Sequence, residues 1–181
     1  MVYIALLRAI NVSGHNRILM ADLREMLAGL GLSNVRTLLQ SGNLVFESRG
    51  KTGAQLEALL EAETERRFAV RTPYLVRTAR EWAAIVAANP FAREAREGPA
   101  HLVVWVQKSA CKAGDAEALR AAVLGPEYFT FVRTHGYLVY PVDMGHSKLT
   151  SGLIEKWLGS PGTARNWNTV LKLLALSLEK Q

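Results

Sequence analysis

"VRTLLQSGNLVF", residues 35–46, is the stretch on which the fold turns. Two segments rich in apolar and β-branched residues flank Ser41-Gly42-Asn43. A short polar turn with Gly and Asn, which tolerate positive φ, reads as the tip of a hairpin. The pattern comes back later in the chain. Strands are expected at 128–133 and 137–140 around Thr134-His135-Gly136, and "SGNLVF" of the first hairpin is echoed by "THGYLVY" of the second.

Working outward from each hairpin gives one order twice. Before the first lie the apolar run 2–7, of strand length, and 20–30, where Met20, Leu23, Leu27 and Leu30 share one helical face. After it come a helix over 54–68 and a short strand at 73–77, with Pro73 at the position where a missing donor is tolerated. Residues 79–99 read as a bridge with a short helix over 80–88. The second pass runs strand 101–107, helix 115–124, the hairpin, and a helix over 147–158. At its end, where the first half has a strand, Trp167, Val170, Leu171, Leu174 and Leu178 follow helical spacing.

The order β-α-β-β-α-β implies an α+β fold: duplicated ferredoxin-like units, each an antiparallel sheet with two helices on one face. Residues 1–78 are expected to form the first unit, 79–99 the bridge, and 100–181 a second unit with an extra C-terminal helix. A right-handed crossover makes the first two strands of a unit parallel. The loop 11–17 and the hairpin 40–43 are therefore expected to meet at one sheet edge.

Composition narrows the class. The 181 residues are 49% hydrophobic and 21% charged, the balance of a globular protein. No apolar run approaches the ~20 residues that span a bilayer, and Arg8 interrupts the N-terminal run too early for a signal peptide. A single cysteine, Cys111, excludes an intramolecular disulfide. A cytoplasmic protein is expected. The net charge of +6 is spread along the chain rather than gathered in a basic block. Such an excess is compatible with phosphate or nucleic acid without demanding either.

Three polar stretches are candidates for binding. The first, 11–17, offers amide, hydroxyl, imidazole and guanidinium groups on a turn that enters a helix, where backbone N–H groups attract anions. It matches neither phosphate-loop nor dinucleotide fingerprints, and a polar loop satisfying its own backbone is the simpler account. In the second, "DMGHSKLT" (143–150), Ser147 is placed to cap a helix and Lys148 to project from its first turn. A lysine is unfavourable there, which suggests an anionic contact or a tolerated surface residue. In the third, "TARNWNTVLKLL" (163–174), Trp167 reads as a core anchor and Asn166 as the N-cap. Arg165 and Asn168 are left unexplained. The four histidines show no metal-ligand spacing, no nucleophile elbow is present, and no metal or cofactor is expected.

Together "LLRAINVSGHNRI", "VRTLLQSGNLVF", "HSKLT" and "TARNWNTVLKL" resemble the bacterial family called domain of unknown function 1697, from Tyr3 to about Leu176. The resemblance implies a duplicated ferredoxin-like α+β fold. It brings no activity, ligand or catalytic residue with it. Its motif positions here are Arg8, Asn11, Gly14, Arg17, Gln40, Ser41, Gly42, Asn43, Ser147, Lys148, Arg165, Asn166, Trp167 and Asn168. Ala9 and Ser13 stand where glycine is common in the family.

The leading expectation is a binding module for a phosphorylated or nucleic-acid ligand, drawing on Arg8, Asn11, His15, Arg17, Gln40, Ser41, Asn43, Ser147, Lys148, Arg165 and Asn168. A competing reading is a small-molecule enzyme at the 11–17/40–43 edge with His15 as acid or base. A third is a structural protein that forms a homodimer through a sheet edge. The sequence commits to no reaction.

Overall fold

The computed structural model describes residues 1–11, 16–142 and 144–179. Its elements run β1 (Val2–Leu7), α1 (Met20–Gly29), β2 (Ser33–Leu38), β3 (Asn43–Glu47), α2 (Gly53–Phe68), β4 (Tyr74–Thr78), α3 (Ala79–Ala87), α4 (Ala92–Glu97), β5 (Leu102–Gln107), α5 (Asp115–Ala122), β6 (Tyr128–Val132), β7 (His135–Val139), α6 (Ser151–Leu158), β8 (Gly162–Asn166) and α7 (Trp167–Leu178). Two compact units result: Met1–Ala84 with Lys172–Gln181, and Ile85–Leu171. The expected bridge 79–99 is thus divided within α3. The end of the chain belongs with the first unit rather than the second. Among the described residues no helix is long and apolar enough to cross a membrane.

In the first unit the sheet order is β2-β3-β1-β4, with every neighbouring pair antiparallel. β1 and β2 are each antiparallel to β3, so they run parallel and end at the same edge. Alternate residues of β1, Tyr3, Ala5 and Leu7, join a core with Leu23 and Leu27 of α1 and Leu56 and Leu60 of α2. Ile4 and Leu6, on the opposite face, are also out of water, which is why the strand is a continuous apolar run rather than an alternating one. α2 opens with a capping box: Thr52 Oγ1 accepts from the Gln55 amide at 3.3 Å, and Gln55 Oε1 accepts from the Thr52 amide at 2.9 Å.

The second unit repeats the arrangement as β6-β7-β5-β8. Val103 and Trp105 of β5 pack with Leu119, Leu138, Ile154 and Leu158. Three expectations are corrected here. A fourth strand, β8, precedes α7 and pairs with β5 from Val103↔Asn166 to Gln107↔Gly162, so the second unit does not lack its final strand. The helix expected over 147–158 starts at Ser151, and its cap is Thr150, whose Oγ1 accepts from the Leu153 amide at 3.2 Å. The second hairpin turns through 133–134, with φ +54 at Arg133, and His135 and Gly136 already belong to β7.

The edge strands are treated unequally. Arg8 N donates to Pro73 O at 3.2 Å, so Tyr74, Val76 and Thr78 point their amides away from β1. All three meet carboxylates: Glu61 at 2.9 Å, Glu57 at 2.9 Å and Glu81 at 2.7 Å. In the second unit the Gly162 amide on the outer side of β8 donates to Glu155 at 3.0 Å. Covering an edge in this way removes the template on which a foreign strand would pair.

Candidate functional site

The polar edge of the first unit is assembled by its backbone. Leu7 N donates to Gly42 O at 2.8 Å, which joins the end of β1 to the hairpin. Asn11 then fastens the loop. Its Nδ2 donates to Ile18 O at 3.0 Å and to Gln40 O at 2.8 Å, and its Oδ1 accepts from Ile18 N at 2.9 Å. The loop and hairpin meet as the crossover topology requires, through a side chain that closes the loop on itself. Asn11 and Asn16 adopt φ +54 and +50, which asparagine tolerates.

Ala9 sits at φ +51. A side chain pays about 1–2 kcal/mol in that region, so Ala9→Gly is expected to raise stability by roughly 1 kcal/mol even after glycine's greater unfolded-state freedom. Chemical denaturation with an unchanged m-value checks it.

The hairpin "QSGN" is likewise built for its turn. Asn43 is fully buried, and its Nδ2 donates to Leu38 O and Ser41 Oγ, both at 2.9 Å. Positive φ falls on Leu39 (+61) and Gly42 (+72), not on Asn43 as the sequence suggests.

What remains open is a cavity of about 430 Å³ lined by Asn11, Arg17, Ile18, Leu19, Asp22, Gln40 and Phe68. Arg17, Asp22 and Gln40 are exposed, and Phe68, at the end of α2, is half-buried against the core. Three of the expected site residues, Asn11, Arg17 and Gln40, come together there. Arg8, Ser41 and Asn43 lie nearby in the chain but outside that lining. The Arg8 carbonyl accepts from Thr72 Oγ1 at 2.6 Å. His15 and Gly14 fall outside the described residues. Asp22 and Phe68 carry no motif; Phe68 is brought in because α2 ends where the chain returns to pair Tyr74 with Leu7.

Ser147, Lys148, Arg165 and Asn168 belong to the second unit. Ser147 Oγ bonds Glu127 Oε1 and accepts from Leu149 N at 3.0 Å. Lys148 is exposed and precedes the helix, so the dipole argument for an anion there lapses. Arg165 Nη1 donates to Thr163 Oγ1 at 2.8 Å and Ala164 O at 2.7 Å, and burial pulls its pKa down to about 10. Arg77 holds the matching place in β4, opposite Ile4 as Arg165 is opposite Val104. It donates to Val76 O at 2.8 Å, and burial lowers its pKa too. Asn166 Oδ1 accepts from Thr169 N at 3.0 Å as the cap of α7; Trp167 is buried and Asn168 exposed.

The two units superpose in their bonding. Gln107 N donates to Thr134 O and Lys108 N to Pro161 O, as Leu7 does to Gly42 and Arg8 to Pro73. They differ at the edge itself. The connection 108–114 is shorter than 8–19, and the Gln107 side chain fills its root, accepting from Trp105 Nε1 at 3.0 Å and donating to Ser109 O at 2.8 Å. The cavity beside Asn11 and Gln40 thus lies at the longer of the two connections.

The whole chain is similar in structure to a conserved bacterial protein from Streptococcus pneumoniae, with a TM-score of 0.72 over 97% of each chain and 22% sequence identity, a likeness of fold. No curated protein matches it. The family model described as "Protein of unknown function (DUF1697)" matches residues 1–137. By that match, which covers most of the length and ends within β7, the chain belongs to the DUF1697 family.

Proposed function

We propose that the first unit is a binding module for a phosphorylated ligand of nucleotide size, free or at the end of a nucleic-acid chain. One observation carries the reading: the cavity brings Arg17 and Gln40 together with Leu19 and Phe68. Asn11 and Asn43, by contrast, turn their amides to the local backbone. Arginine and an amide suit phosphate oxygens, and the apolar wall suits a base or another planar group. Asp22 supplies an acceptor for a hydroxyl or amine, which a bare polyphosphate lacks. The volume lies within the range of small-molecule sites.

Calorimetric titration with a nucleoside monophosphate, inorganic phosphate and a short single-stranded oligonucleotide tests this. Arg17→Gln is expected to weaken binding at least tenfold, and raising salt from about 50 to 200 mM to weaken the oligonucleotide further. Indifference of the protein to all three probes, or an Arg17→Gln variant that binds as well, defeats the reading.

A further inference from the structure

Of the four edge strands, β6 is the one whose chemistry invites a partner. β4 has its outward amides on Glu61, Glu57 and Glu81. β8 has Gly162 on Glu155 and runs straight into α7. β2 is broken by a register shift between Ser33 and Arg36, with Asn34 at φ +50, a distortion that turns an edge away from pairing. β6 keeps an unbroken register with β7, from Tyr128↔Val139 to Val132↔His135.

The hairpin geometry says which groups face out. Val132 and His135 flank a two-residue connection and form a bonded pair, so Thr130 also bonds towards β7 while Phe129 and Phe131 direct their backbone groups outward. The Phe129 carbonyl accepts from Arg120 Nη2 at 2.8 Å, which uses one of its two lone pairs.

We propose that this edge is a self-association surface, on which a second copy of the chain lays its own β6 antiparallel about a two-fold axis at Thr130. The occupant follows from the strand's sequence: Phe129-Thr130-Phe131 reads the same in both directions. Self-pairing sets Phe129 against the copy's Phe131 twice and Thr130 against Thr130 at the axis. Aromatic and Thr–Thr cross-strand pairs are favourable, and the strand carries no charge that would face its like. Tyr128 and Val132, on the Thr130 face, are 39% and 47% exposed and would be partly covered. The contact is isologous and closes at two copies.

Sedimentation across a hundredfold range of concentration is expected to show a monomer–dimer equilibrium. Thr130→Lys, which opposes two ammonium groups at the axis, is expected to weaken it at least tenfold, with circular dichroism confirming the fold. Should that variant fold poorly, a second one carries the test. Thr130 pairs with itself at a non-bonded site, where Cα atoms lie about 4.5 Å apart, within disulfide range. Thr130→Cys in a Cys111→Ser background is therefore expected to oxidise rapidly to a covalent dimer, far faster than Lys51→Cys in the same background. A monomer at every concentration, a dimer indifferent to Thr130→Lys, or equal oxidation of the two cysteine variants overturns the proposal.

Discussion

Glu57→Ala combined with Glu61→Ala is expected to lower the stability of the first unit by about 3–5 kcal/mol, the largest effect of any surface change suggested by the structure. Each carboxylate accepts from an outward amide of β4, at 2.9 Å in both cases. Hydrogen bonds to charged groups contribute about 1.5–3 kcal/mol each, and removing the acceptor leaves a backbone donor without its partner. Glu57 also lies 3.7 Å from the Arg77 guanidinium, both side chains being only 12% exposed, so its loss withdraws a counter-charge from a buried cation. The two sites are neighbours and their effects will not simply add. Glu57→Gln keeps an acceptor and removes the charge. It is expected to cost less than Glu57→Ala, and urea unfolding of the four variants separates the two contributions. Uncovering β4 should also promote association of the double variant, which light scattering detects.

Gly42→Ala is the second large effect, expected to cost about 2–4 kcal/mol. Gly42 adopts φ +72, and a Cβ built there would stand 2.8 Å from Leu7 Cβ and from Ile10 Cδ1. Neither contact is the loose end of an exposed chain: Leu7 and Ile10 are both core residues. The hairpin would have to withdraw from β1, straining the Leu7–Gly42 bond and, through Gln40, the anchor of Asn11. Stability and ligand affinity are thus expected to fall together in Gly42→Ala, whereas Arg17→Gln should lower affinity alone. Thermal unfolding alongside titration distinguishes the two.

Much of the scaffold was legible because both hairpins and the amphipathic helices carry their periodicity openly. β8 was not. Its sequence, "GTARN", has no apolar alternation, and its pairing with β5 shows only in three dimensions. Asn166 caps α7 as its residue type suggests, but a cap says nothing of what precedes it. Thr150 rather than Ser147 caps α6, and Ser147 bonds Glu127, a long-range partner that local spacing does not reveal. At the polar edge, the meeting of Asn11 and Gln40 followed from strand direction alone. Asp22 and Phe68 enter through helix ends whose orientation no motif announces.

The glutamate contacts on β4 and β8 bear on how this chain can change. Glu61 reaches the first amide of β4, and Glu155 the first amide of β8, at corresponding points of the two halves. That arrangement is a property of the repeat, whereas the long connection after β1 is a property of one copy. On the proposed reading, robustness and recognition therefore rest on different residues.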